Sequence, residues 1–190
     1  MKLKAVFLDK DGALIPEIST AHNVDMAELN EPFVEALQLL QSYGYLLVIV
    51  SDQTGTNNDS QDTPEHFRNA IVSSCSRLGI YLDGFYYSDH HPKTPVADSA
   101  SLQSRQEPEL LLQAANDMDI DLSASWLVGD CLNKVEAAKI TGCNTLLVSD
   151  DGTPVSVTDR ARDIAEAARK IINRNAARRK GTSRKKEFQA

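Results

Sequence analysis

The sequence predicts an α/β fold in which a central parallel sheet is covered by helices on both faces. Short apolar runs alternate with amphipathic segments along the chain, an order typical of successive β–α–β units. The apolar runs are nearly continuous, as expected for strands that are buried on both faces. Four of them end in a carboxylate, at Asp9, Asp52, Asp130 and Asp150. Because ligands bind beyond the carboxyl ends of the strands in such sheets, this edge is the candidate site.

Five strands and five helices follow from the residue pattern. The strands are the apolar runs at residues 3–8, 45–50, 85–87, 126–128 and 145–148, the last of which is expected to be the final strand. Amphipathic spacing and glycine stops predict helices at residues 31–43, 64–78, 107–118 and 132–140. A fifth helix is expected beyond residue 158, since Ile164, Ala168 and Ile171 lie on one helical stripe. The segment 90–106 has little periodicity and is expected to be a loop.

Length and charge divide the chain into one domain, residues 1–172, and a basic C-terminal tail, residues 173–190. The protein has 190 residues and a net charge of −7. Residues 169–190 contain nine basic side chains and one acidic one, so the preceding 168 residues carry a net charge of −15. An acidic body is a poor surface for nucleic acid, so we expect only weak binding, through the tail. The alternatives for the tail are a solvated end and a contact with an acidic partner.

Cysteine usage and hydropathy favour a reducing cytoplasm. Cys75, Cys131 and Cys143 are odd in number and far apart, which argues against a disulfide framework or a cysteine zinc knuckle. The longest apolar run, residues 45–50, is far shorter than the roughly 20 residues of a membrane span. Asp9 interrupts the apolar stretch near the N-terminus, so no signal peptide is expected. We therefore expect a cytoplasmic monomer without a membrane partner.

Two carboxylates follow the first strand with a spacing that suits phosphoryl transfer. Asp9 and Asp11 are two residues apart, so in extended backbone their side chains point the same way. Gly12 lets the chain turn away directly after them. One carboxylate of such a pair can attack phosphorus while the other carries protons for the leaving group and for water. A divalent cation is needed for two anions to approach a phosphate.

The same segment resembles the DxDGT signature of the haloacid-dehalogenase (HAD) phosphohydrolases. Residues 9–13 read Asp-Lys-Asp-Gly-Ala, Ser51 is similar to the hydroxyl residue of the family's second motif, and Gly129-Asp130 is similar to its acidic fourth motif. A closer resemblance rests on segments 51–55, 82–92, 111–115 and 124–130. It is to the D-glycero-D-manno-heptose 1,7-bisphosphate 7-phosphatases and the related histidinol-phosphatase domain. This resemblance implies a Rossmann-like three-layer HAD fold without a cap domain, and a Mg2+-dependent phosphatase of a small phosphorylated metabolite.

The resemblance also implies a role for each matching residue. Asp9 would be the nucleophile that forms an aspartyl-phosphate, and Asp11 would be the general acid and base. Asp9, the backbone carbonyl of Asp11, and Asp130 would hold Mg2+, a cation that prefers oxygen ligands. Ser51 and Arg105 would stabilise the phosphoryl group. The substrate-binding positions are Gln53, Thr54, Ser104 and Cys131.

The chain departs from the family in the active region. Arg105 stands where the family has a lysine, and its planar fork is not equivalent to an ammonium group. Ser104 and Cys131 stand where the family has an arginine and a lysine that contact the substrate. The family's zinc loop uses three cysteines and a histidine, and one histidine cannot hold a structural zinc, so no structural Zn2+ is expected. At these four positions the chain has Ser88, His90, Ser101 and Gln103.

The largest departure is Lys134, which stands where the family has the second acid of the fourth motif. A cation there lies near the expected metal and would weaken its binding by several kcal/mol at an effective dielectric constant of about 20. Alternatively, Lys134 supplies the substrate cation lost at Cys131, one helical turn earlier. Two functions therefore stay open. One is a Mg2+-dependent phosphatase acting on a heptose 1,7-bisphosphate or on histidinol phosphate. The other is a weakened or inactive relative that binds a phosphorylated ligand or a protein partner.

Overall fold

The computed structural model describes residues 2–10, 29, 31–52, 64–88, 99–149 and 159–187, of which 52, 64, 88, 99–107 and 177–187 are described by their backbone alone. The strands are β1 Ala5–Asp9, β2 Leu46–Asp52, β3 Gly84–Ser88, β4 Trp126–Gly129, β5 Asn144–Val148 and β6 Asp159–Ala161. The helices are α1 Glu31–Ser42, α2 Pro64–Arg77, α3 Ser99–Asp117, α4 Leu132–Ala138 and α5 Ile164–Glu187. Short 3-10 turns, Leu122–Ala124 and Lys139–Thr141, precede β4 and follow α4.

The six strands form one parallel sheet in the order β3-β2-β1-β4-β5-β6. From β1 the sheet grows to one side through β2 and β3, and to the other side through β4, β5 and β6. The direction of winding therefore reverses between β1 and β4. At such a switch point the connections at the carboxyl ends of the strands diverge and leave a crevice for a ligand. Asp9, the last residue of β1, lies at this point.

Two apolar clusters hold helices against the two faces of the sheet. Leu8 and Ile49 belong to the cluster that includes α1, α2 and α5. Phe7 and Leu127 belong to the opposite cluster, which includes α3 and α4. Phe7 and Leu8 are each fully buried, and burial of such a side chain contributes about 1.5–3 kcal/mol. The predicted three-layer α/β architecture is confirmed, and every α-helix and strand within the described ranges belongs to one of these layers.

Two elements differ from the sequence-based expectation. β6 has three residues and forms by pairing with β5 from Leu146–Asp159 to Val148–Ala161, so the expectation that residues 145–148 are the final strand is wrong. Residues 99–106, expected to be a loop, form the first turns of α3, and Pro108 lies inside that helix. Neither segment has a periodic apolar pattern. Strand β6 is three residues long and forms through its pairing with β5, and the first turns of α3 are mostly polar. Hydrophobic patterning therefore had no signal to detect there.

Helix α5 continues from the body into the basic tail. It has 24 residues and runs without a break past residue 173. Arg174 pairs with Asp159 and lies over the Trp126 ring, and Asn175 donates a hydrogen bond to Tyr45 Oη at 2.8 Å. These contacts attach the start of the tail to the body, while the division at residue 172 stays a prediction. Along the described part of the chain, no helix combines the length and apolar character needed to cross a bilayer.

The start of α5 depends on Glu166, and this dependence can be tested with acid. Hydrogen bonds from the Arg162 backbone N–H (2.9 Å), then from the Lys170 and Arg162 side chains, lower the pKa of Glu166 from 4.5 to about 2. Because the folded-state pKa is depressed, this stabilisation is fully present above pH 4.5 and is lost as the pH falls toward 2. We expect Glu166→Gln to lower the thermal midpoint at neutral pH, and the difference from wild type to shrink between pH 4.5 and 2. Thermal unfolding across this range measures the difference, with Glu35→Gln, at an exposed position of α1, as the control.

Candidate active site

Asp9 is a buried carboxylate at the carboxyl end of the central strand. Its exposed fraction is 1%. β1 pairs with β2 on one side and with β4 on the other, so Gly129 at the end of β4 lies beside it. A Cβ atom added at Gly129 would lie 3.2 Å from Asp9 Cβ and 3.3 Å from Asp9 Oδ2. Glycine at residue 129 therefore makes room for this carboxylate.

Helix α4 brings Lys134 into direct contact with Asp9. The Lys134 Nζ donates hydrogen bonds to Asp9 Oδ1 at 3.2 Å and to Asp9 Oδ2 at 3.3 Å. The exposed fractions of the two side chains are 8% for the lysine and 1% for the aspartate. Lys134 shares the buried side of α4 with Val135 and Ala138. The predicted nucleophile is thus one partner of a buried ion pair, whose ammonium group lies almost equally close to both carboxylate oxygens.

Ser51 and Asp130 lie at the same edge of the sheet as Asp9. Ser51 is buried in β2, one residue beyond Val50, which is the register partner of Asp9. Since successive side chains on a strand point to opposite faces, the side chain of Ser51 leaves the sheet on the face opposite to that of Asp9. Asp130 directly follows Gly129 and is exposed. The structure therefore brings three of the predicted site residues to one edge, and Asp9 is the buried carboxylate among them.

The other predicted site residues are placed less fully. Cys131 is the N-cap residue of α4, partly exposed, and its side chain makes no capping hydrogen bond. Ser104 and Arg105 lie in α3, which is described there by its backbone alone. Asp11, Gln53, Thr54 and His90 lie outside the described residues. The roles proposed for these positions stay predictions.

The sequence placed Lys134 near the site without detecting its partner. The available signal was its position in the first turn of α4, directly after Gly129-Asp130. The sequence favoured burial in a strand over sugar stacking for the Tyr86–Tyr87 pair, and Tyr87 pairs in register with Ser51. Burial raises the pKa of Tyr87 to about 12, so its hydroxyl stays protonated at neutral pH. Its register position places an uncharged hydroxyl residue in the strand next to Ser51.

The described residues around Asp9 do not fit a divalent cation. Mg2+ bound to Asp9 Oδ1 at about 2.1 Å would lie within about 5.3 Å of the Lys134 Nζ, which is 3.2 Å from the same oxygen. Charges of +2 and +1 at that separation repel by about 6 kcal/mol at an effective dielectric constant of 20. Asp9 and Asp130 are oxygen donors of the type that Mg2+ prefers, but the Asp9 charge is already neutralised. Among the residues with described side chains, no group of three His, Cys, Asp or Glu residues is arranged to hold a metal ion.

A family model described as HAD-hydrolase-like matches residues 105–174 of the chain. The chain is 32% identical over 162 residues to the D-glycero-beta-D-manno-heptose-1,7-bisphosphate 7-phosphatase of Yersinia pestis, which covers 83% of this chain and 86% of that protein. It is 31% identical over 175 residues to the protein of the same name from Photorhabdus laumondii, with 90% of each chain covered.

The chain therefore belongs to the family of the D-glycero-beta-D-manno-heptose-1,7-bisphosphate 7-phosphatases, which are phosphoric monoester hydrolases of the HAD type. The fold agrees with this assignment. The crystal structure of D,D-heptose 1,7-bisphosphate phosphatase from B. bronchiseptica complexed with magnesium and phosphate has a TM-score of 0.68 to this chain at 22% identity. That similarity covers 90% of this chain and 99% of the other.

The ion pair predicts a strong energetic coupling between Lys134 and Asp9. Lys134→Met leaves the Asp9 carboxylate buried without its cation, so we expect a loss of about 3–5 kcal/mol in the free energy of unfolding. Asp9→Asn combined with Lys134→Met removes both charges, and we expect it to recover most of that loss. Urea unfolding of the two single variants and the double variant, in the presence of a chelator, measures the coupling.

Lys139→Met is the matched control for this cycle. Lys139 lies in the 3-10 turn that follows α4 and pairs with Glu136 at 2.7 Å, with about a third of each side chain exposed. Because exposed pairs contribute little, we expect its loss to cost less than about 1 kcal/mol. A Lys134→Met variant as stable as Lys139→Met would contradict a buried ion pair at Asp9.

Proposed function

We propose that this protein hydrolyses phosphomonoesters through an aspartyl-phosphate at Asp9, and that its substrate is a heptose 1,7-bisphosphate, cleaved at the 7-phosphate. The observation that carries the proposal is the position of Asp9. It is a buried carboxylate at the end of β1, at the switch point of the sheet, in a chain of the heptose bisphosphate phosphatase family. A carboxylate in that position faces the crevice in which such folds bind ligands.

The proposed reaction has two steps. An Asp9 carboxylate oxygen attacks phosphorus, the P–O bond to the sugar breaks, and the departing sugar oxygen takes a proton from Asp11. Water then gives a proton to Asp11 and attacks the same phosphorus, which releases inorganic phosphate and restores the Asp9 carboxylate. Ser51 and Arg105 are proposed to hold the phosphoryl oxygens during both steps. Gln53, Thr54, Ser104 and Cys131 are proposed to line the sugar site.

Magnesium enters this proposal as a family property. The resemblance to the HAD phosphatases implies Mg2+, which would supply charge that draws the phosphate toward the nucleophile. For this chain, dependence on Mg2+ stays a prediction, and the charge of Lys134 beside Asp9 argues against it. The expectations of a cytoplasmic monomer, of an absent structural Zn2+ and of weak polyanion binding by the tail also stay predictions.

A second candidate function is a weakened relative that binds a phosphorylated ligand without turning it over. The observation that favours it is the Lys134–Asp9 pair, since an ammonium group bound to both carboxylate oxygens lowers the nucleophilicity of Asp9. The two candidates differ in one measurable quantity, which is the release of inorganic phosphate. They agree on the location of the bound phosphoryl group.

Replacement of Asp9 tests the proposed chemistry. We expect wild type to release phosphate from heptose 1,7-bisphosphate faster than from histidinol phosphate, and Asp9→Asn to lower kcat by more than about a thousandfold because the nucleophile is lost. A phosphate-release assay, run with a chelator and with MgCl2, gives both comparisons. Equal rates for wild type and Asp9→Asn would remove the phosphatase proposal and leave the binding function.

Replacement of Ser51 tests its proposed contact with the phosphoryl oxygens. We expect Ser51→Ala to lower kcat by about a hundredfold or more, as is typical when one donor to a developing negative charge is removed. Ser74→Ala is the control, because Ser74 is also buried but lies in α2 and accepts a hydrogen bond from Arg77. The two variants should have similar thermal midpoints. If both retain wild-type kcat, Ser51 does not contact the reacting group.

A further inference from the structure

Lys134 gives the site a positive charge that is part of the folded protein itself. Its Nζ lies 3.2 Å and 3.3 Å from the two oxygens of Asp9, and both side chains are buried. Buried charges are retained when they are paired, and breaking such a pair leaves an uncompensated charge inside the protein. The lysine therefore provides a cation at the carboxylate in every folded molecule.

We propose that the Lys134 ammonium group is the resident cation of this site and takes the place of a divalent metal at Asp9. A phosphoryl group then binds beside Asp9 without Mg2+. This inference rests on the proposed function insofar as it treats the Asp9 crevice as a site for a phosphoryl group. The inference goes beyond the proposed function because it assigns the compensation of the Asp9 and phosphate charges to Lys134.

The charges of the pair support this assignment. Asp9 and Lys134 together carry no net charge, so an incoming phosphate dianion meets a neutral pair instead of an isolated carboxylate. A lysine ammonium group is compact and has three N–H donors, which allows it to contact carboxylate and phosphoryl oxygens at the same time. Compensation of this kind is what a dication supplies at a phosphoryl-transfer site.

The packing of α4 makes displacement of the lysine by a metal unfavourable. Val135 and Ala138, which share the buried side of the helix with Lys134, are fully buried. An ammonium group displaced from Asp9 would lose its contacts with both carboxylate oxygens, while the helix that carries it stays packed through these apolar side chains. A metal that did not displace it would have to share Asp9 with a second cation. Both arrangements disfavour Mg2+ at Asp9.

Thermal unfolding with and without Mg2+ tests this inference directly. For metal-stripped wild type we expect millimolar MgCl2 to move the thermal midpoint by less than about 1 °C. Lys134→Asp places two acids together and creates a site for a dication. We expect its midpoint to rise by about 5 to 10 °C at a hundredfold excess of Mg2+ over Kd. Lys139→Asp makes the same charge change beside Glu136, but there both side chains are about a third exposed, and we expect MgCl2 to move its midpoint by less than about 1 °C.

Binding of inorganic phosphate to wild type gives a second measurement that needs no variant. We expect phosphate to raise the midpoint equally in EDTA and in MgCl2. A wild-type midpoint that rises with MgCl2 alone, or phosphate binding that requires MgCl2, overturns the inference. A folded Lys134→Asp variant that does not respond to MgCl2 also overturns it. If Lys134→Asp does not fold, the two wild-type measurements decide.

These outcomes are separate from those of the proposed function. If wild type and Asp9→Asn release phosphate at equal rates, the phosphatase proposal fails, while the midpoints with MgCl2 and phosphate still decide the role of Lys134. If wild type turns over substrate in MgCl2 and loses that activity in EDTA, the phosphatase proposal stands and the resident-cation inference fails.

Discussion

The contact between Lys134 and Asp9 is the interaction on which the candidate site depends. A carboxylate that is 1% exposed needs a partner, and α4 supplies one from its buried side. Gly129 at the end of β4 leaves room for this contact, since a Cβ atom there would lie 3.3 Å from Asp9 Oδ2. The contact also ties α4 to the central strand at the point where the sheet changes its direction of winding. Fold and electrostatics are therefore coupled at one residue pair.

The comparison with relatives separates what this chain shares with its family from what is its own. The shared part is the fold, for which the similarity to the B. bronchiseptica phosphatase covers 90% of this chain. What the structure of this chain itself shows at that edge is the contact of Lys134 with both oxygens of Asp9. A fold constrains where a ligand binds, whereas the charges at that place determine which chemistry is available. Membership in a phosphatase family concerns the fold and the place where a ligand binds, whereas the lysine beside Asp9 concerns the chemistry available there. The two observations are therefore compatible.

The sequence predicted the layers of the fold because strands buried on both faces have an unmistakable apolar pattern. It did not predict β6, whose three residues form a strand only by pairing with β5. It also missed the first turns of α3, which carry no apolar stripe. At the site, chain order was enough to bring Asp9, Ser51 and Asp130 to one edge. It could not establish that the Lys134 side chain contacts Asp9, because that depends on the rotation of α4 about its axis.

A lysine attached to the backbone differs from a dissociable ion in how it is supplied. The ratio of Lys134 to Asp9 is one in every folded chain, whatever the ionic composition of the surroundings. Chelating metabolites cannot extract it, and starvation for a metal cannot empty it. The disadvantage is that the cation of the site is fixed, since a covalently attached charge cannot be exchanged for another ion of different size or hardness.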